Sequence, residues 1–85
     1  MLPSELGHLE FSHHAEERMQ EYGLSKEDVL FVMSDPDTRR PSQHGKENLV
    51  RTLPDGRRVR VPAVPLPNTH WRIITVIIEN KEAGR

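Results

Sequence analysis

The run FSHHAEERMQEYGLSKEDVLFVMSDP constrains the fold more than any other part of the chain, because it carries start and stop signals for two helices in close succession. Ser12 is placed as an N-cap, and Ala15, Met19 and Tyr22 follow at i, i+4 and i+7 as one apolar stripe. Gly23 suits the left-handed position just past a helix end, with Leu24 packing back. Ser25 and Asp28 have capping-box spacing, and Leu24 and Val29 flank that box as a hydrophobic staple. Val29, Leu30, Val32 and Met33 are the residues expected to bury the second helix, which Asp35-Pro36 ends. So short a connection makes the pair an αα-hairpin.

The remainder reads as β-structure. NLVRTL and RRVRVPAV flank Pro54-Asp55-Gly56, a turn in which proline presets φ and glycine accepts positive φ. HWRIITVIIE is the strongest strand; its apolar residues fall on both parities, which predicts burial on both faces or a central place in the sheet. Pro62, Pro65 and Pro67 make PAVPLPN a stiff connection and argue against a regular strand there. DTRRPSQHGK is a candidate for a short extra edge strand. The expected fold class is α+β, two N-terminal helices packed on a three- or four-stranded antiparallel sheet. Residues 1–10 read as a loose lead-in, 11–80 as a single domain and 81–85 as a frayed end.

An apolar fraction of 34% against 29% charged residues means that the core is small and rests on a few well-formed elements. With no cysteine, disulfides and thiolate metal sites are excluded, which fits a reducing, cytoplasmic setting. MLPSELGHLE lacks the basic and apolar regions of a signal peptide, and no window is apolar enough to span a membrane. The net charge of −1 conceals an asymmetry: residues 1–38 carry −7 and residues 39–85 carry +6. Arg39, Arg40, Arg51, Arg57, Arg58, Arg60 and Arg72 supply most of the positive half. Arginine favours bidentate recognition of phosphate or carboxylate, so this half is a candidate surface for RNA or an acidic protein partner. Such a face can also be only the solvated side of a sheet. Acidic helices and a basic sheet also invite salt-sensitive self-association.

Other chemistries find little support. His8, His13, His14, His44 and His70 include no pair at the spacing of a helical zinc motif, so no metal site or other cofactor is expected. No serine sits in a nucleophile elbow, and the five glycines are scattered singly rather than gathered in a phosphate loop.

Read as F-S-x-H-A-x-x-R-M-x-E-x-G-L-S-x-E-D-V, followed by a DP stop, a β-hairpin and a terminal R-I-I-T-V strand, the sequence resembles a large bacterial family of small domains of uncharacterised activity. That family is placed near the RelE-like and BrnT-like toxins, in the wider group that includes barnase, EndoU and the tRNA-cleaving colicins. The resemblance covers roughly residues 11–80 and is most specific from Phe11 to Val29. It implies two helices on an antiparallel sheet, metal-independent ribonuclease activity, and pairing with a small antitoxin. It assigns chemistry to His14, Arg18 and Thr75, which match the family's suspected positions.

Metal-free RNA cleavage by the ribose 2′-hydroxyl needs a base, an acid and positive charge at the phosphorane. Histidine suits the first two roles and arginine the third. His14 and Arg18, four residues apart, share a helix face within reach of one phosphate. Thr75 offers a hydroxyl, and Trp71, of the same strand parity, a stacking platform for a base. Arg51, Arg57, Arg58, Arg60 and Arg72 are the candidate phosphate contacts. Each has a plainer reading: His14 and Arg18 as surface hydrogen-bonding residues, Thr75 as a β-forming core residue, Trp71 as a core anchor. A non-catalytic RNA- or protein-binding module and a regulatory subunit of toxin-like fold therefore stand beside the ribonuclease.

Overall fold

A computed structural model of the chain describes residues 8–79. The lead-in residues 1–7 and the end expected to fray lie outside the described residues. Strand β1 (Leu9–Phe11) is followed by helices α1 (His13–Tyr22) and α2 (Lys26–Ser34). Five more strands follow: β2 (Thr38–Pro41), β3 (Glu47–Thr52), β4 (Arg58–Pro65), β5 (Trp71–Ile73) and β6 (Ile77–Ile78).

The helix signals act as their chemistry dictates. The Ser12 hydroxyl accepts the Ala15 N–H at 3.0 Å. Gly23 has φ +69°, and the Leu24 and Gly23 N–H groups return to the carbonyls of Met19 and Gln20, a Schellman ending. Both halves of the Ser25–Asp28 capping box form, at 2.9 and 3.1 Å. Val29, Val32 and Met33 bury α2, spaced i, i+3 and i+4. Leu30, expected in that stripe, is instead 42% exposed, since it projects about 100° round the helix from Val29.

The sheet departs from expectation in size and direction. Its order is β1-β5-β4-β3-β2, with β6 also pairing β4. It has six strands rather than three or four, and it is mixed, because β1 pairs parallel to β5 while the other pairings are antiparallel. Leu9 and Glu10, within the expected lead-in, thus belong to the sheet, and the candidate edge strand forms as β2.

The last strand is broken by a bulge. From the pair Ala63↔Ile73 to the pair Val59↔Ile78, β4 advances four residues while the opposing strand advances five. Buried positions accordingly run Trp71, Ile73, then Val76, Ile78. Apolar residues on both parities reflect this switch of register, not burial on two faces.

Pro62 and Pro65 lie within β4, contrary to the stiff connection expected there. The Ile74 N–H donates to the Pro62 carbonyl at 3.0 Å, so a residue with an N–H at position 62 would donate back to the Ile74 carbonyl. Proline leaves that acceptor open, and the Ser12 hydroxyl fills it at 2.7 Å. Pro65 pairs with Trp71, and its nitrogen faces the side where β3 has not yet begun.

Both helices cover one face of the sheet, where Leu49, Val59, Val61, Ala63 and Ile73 join Ala15, Val29 and Val32 in the core. Alternation sends Arg58, Arg60 and Arg72 to the other face, and the strand register adds Thr38, Arg40, Asn48 and Val50 to them. Val50 is only 7% exposed yet stands apart from the core cluster.

Candidate nucleic-acid interface

The seven arginines of the basic half do not form one patch. Arg51 extends from β3 toward the helices: its guanidinium lies 3.6 Å from the centre of the Phe31 ring and donates to the Phe31 carbonyl at 2.9 Å. Arg57 donates to the Tyr22 carbonyl at 2.8 Å and pairs with Asp55 at 2.7 Å. Neither helix has a basic residue in its last turn, so these two arginines supply the missing donors at both helix C-termini. The Arg57 hydrogen bond holds the Asp55 carboxyl below its ordinary value, and Asp55 in turn raises Arg57. Arg39 lies 5.3 Å from the Trp71 ring and pairs with Glu47 at 2.5 Å. Trp71 itself is 8% exposed and sits in the core, on the face away from Arg58 and Arg60.

The open face gathers Arg40, Arg58, Arg60 and Arg72. The first three border a concavity of about 330 Å³, with Val50, Thr38, Asn48 and Glu79 completing its lining. Arg58 pairs with Asp37 at 3.3 Å and lies 3.6 Å from Glu79. Arg60 Nε lies 3.4 Å from Glu79 Oε2, within ion-pair range but off hydrogen-bond geometry; this buried nitrogen makes no hydrogen bond. Arg72 stands further along the face, paired with Glu10 at 3.1 Å. Among the described residues Arg40 has no ion pair or hydrogen bond to its side chain. An incoming anion therefore meets the uncommitted Arg40 and, across the same hollow, the exposed part of the Arg60 side chain, whose buried Nε is left without a hydrogen bond.

His14, Arg18 and Thr75 lie elsewhere. His14 is exposed on α1, and Arg18 is engaged with Glu21. Neighbouring His13 points away, 3.2 Å from Glu17. Thr75 is half-buried at the bulge. No hydrogen bond joins the three among the described residues, but the Ser12–Ile74 bond sets the start of α1 against the bulge, two residues from His14 and one from Thr75. No cluster of three metal-ligating His, Asp or Glu side chains occurs among the described residues. No helix among them is long and apolar enough to cross a membrane.

Arg40 and Glu79 carry no local mark of a site in the sequence. Arg40 needed the β2–β3 register to be separated from Arg39, and Glu79 needed the bulge to bring it beside Arg58 and Arg60.

An α+β domain with one sheet face covered by helices and an arginine-bordered hollow on the other is the class these elements define. Residues 11–78 match the family model described as a domain of unknown function, DUF4258, and the chain belongs to that family. No curated protein and no solved structure matches the chain.

Proposed function

We propose that the chain is an RNA-binding domain that holds backbone phosphate on the open sheet face, with Arg40 and Arg60 as the primary contacts and Arg58 and Arg72 extending the track. The observation that carries this reading is the uncommitted Arg40 standing across a hollow of about 330 Å³ from Arg60, whose side chain is 38% exposed and which Glu79 engages without a hydrogen bond. Phosphate offers acceptors to both; Arg40 has no partner to release, and Arg60 gives up only a contact with Glu79 that lacks hydrogen-bond geometry. Arg58, Arg60 and Arg72 stand beside carboxylates, which favours a specific strand over indiscriminate binding of polyanions.

Salt-dependent binding of a short single-stranded RNA, read by fluorescence anisotropy, tests it. Arg40→Ala and Arg60→Ala should each weaken binding and reduce the slope of log affinity against log salt by about 0.7. Arg57→Ala, which removes a helix-capping contact, should leave the slope unchanged. Slopes unaffected by both open-face substitutions refute the reading.

A second reading, a metal-independent, toxin-like endoribonuclease using His14, Arg18 and Thr75, is favoured by the Ser12–Ile74 bond that brings the start of α1 to the bulge. It requires RNA cleavage in EDTA that His14→Ala abolishes in a folded protein. Absence of cleavage by the unaltered chain removes it.

A further inference from the structure

The hollow contains a carboxylate where a phosphate site would ordinarily exclude one. Glu79 lies 3.4 Å from Arg60 and 3.6 Å from Arg58, with 34% of its side chain exposed. Its main chain is fixed, since the Glu79 N–H donates to the Arg58 carbonyl at 2.8 Å. Side-chain torsions, not main-chain movement, must therefore separate the carboxylate from the two guanidinium groups.

An ionised carboxylate accepts hydrogen bonds and has none to donate. Phosphate does the same and carries the same sign, so Glu79 opposes any strand that places only phosphate beside it. The backbone of DNA has no hydrogen-bond donor. That of RNA has one, the ribose 2′-hydroxyl. A phosphate held by Arg40 and Arg60 puts its own ribose within the same hollow, whose volume of about 330 Å³ lies at the small-ligand end of binding clefts.

Resting on the RNA-binding reading, we infer that Glu79 selects RNA over DNA by accepting the 2′-hydroxyl of the nucleotide whose phosphate Arg40 and Arg60 hold. The arginines supply affinity and the carboxylate supplies discrimination. Nothing in this role requires cleavage.

The test compares a short oligouridine with the same oligomer made of deoxyuridine and with its 2′-O-methyl form. The base is constant, so base donors cancel. The unaltered protein should bind the RNA about tenfold more tightly than either analogue, the scale of one hydrogen bond to a charged acceptor. Glu79→Ala should bind all three within about twofold of one another, the analogues having gained. Glu79→Gln, which keeps an acceptor and the side-chain volume, should fall between and guards against a folding defect in the alanine variant. A preference for RNA that persists unchanged in Glu79→Ala overturns the inference alone, if Arg40→Ala still weakens binding. Equal binding of RNA and DNA by the unaltered protein also overturns it. Binding of no oligomer refutes the RNA-binding reading and the inference with it.

Discussion

Replacing Ser12 with alanine should destabilise the domain more than loss of an ordinary helix cap, because this hydroxyl serves two elements at once. It accepts the Ala15 N–H at the start of α1 and donates to the Ile74 carbonyl, which Pro62 cannot reach for want of an N–H. Loss of the cap costs about 1 kcal/mol. Leaving a partly buried carbonyl without its donor costs about 1–2 kcal/mol more. The sum, about 2–3 kcal/mol, corresponds to a fall in Tm of about 10–15 °C in a domain of this size. Urea and thermal unfolding followed by circular dichroism measure it. The decisive form is a double-mutant cycle with Pro62→Val, which restores an N–H facing Ile74 in a residue suited to a strand. In that background Ser12→Ala should cost only the cap, so a coupling of about 1 kcal/mol or more is expected. An identical cost in both backgrounds would show that the serine does not stand in for the proline's missing donor.

Gly23→Ala should cost about 1 kcal/mol through its backbone alone, since φ is +69° and no atom lies within 4 Å of the added Cβ; Gly23→Asn should cost less, and equal costs would contradict this. Arg51→Ala should lower stability by about 2 kcal/mol, losing the Phe31 ring contact and carbonyl bond, while leaving the salt slope of RNA binding intact; a changed slope would place Arg51 in the interface. Asp55 has a folded-state pKa below the ordinary 3.8, so its contribution is present above that value and disappears as pH falls through the lower folded value. The stability gap between the unaltered chain and Asp55→Asn should therefore narrow on acidification below about pH 3.8, and a pH-independent gap would refute the Asp55–Arg57 account.

Both helices were readable because their signals are local: each cap lies within three residues of the group it satisfies, and Gly23 marks its own conformation. The β3–β4 hairpin was readable for the same reason, through Pro54-Asp55-Gly56, where the Gly56 N–H closes on the Leu53 carbonyl. What escaped depends on distant partners. Three residues, Leu9–Phe11, become a strand only because β5 offers them an edge, a pairing with no local mark. Pro62 is tolerated because of Ser12, whose link to Ile74 spans 62 residues. The bulge imitated two-sided burial because a one-residue shift exchanges the faces on which Ile and Val appear. At the site, Arg58 and Arg60 stand in open alternation with Val59 and Val61, so their common face could be read directly. Leu49 and Val50 are adjacent and both apolar, which hides the parity of Arg51 until the register is known.

Strand parity thus divides the arginines into two kinds. On the covered face, Arg51 joins Arg57 from the adjoining turn in reaching carbonyls at the ends of α2 and α1, where the helix dipoles favour a cation and solvent competes less. On the open face, Arg40, Arg58, Arg60 and Arg72 meet no helix, and side-chain carboxylates partly balance three of them. The excess of positive charge in residues 39–85 is therefore not itself a measure of affinity for RNA. What matters is the part left uncommitted after folding, and among the described residues that part is Arg40, with Arg60 held by Glu79 through an ion pair that lacks hydrogen-bond geometry. If the proposed RNA-binding role holds, such a surface would bind through a few directed contacts rather than a broad field, so its salt dependence should be shallow and its preference among strands should depend on what stands beside each phosphate.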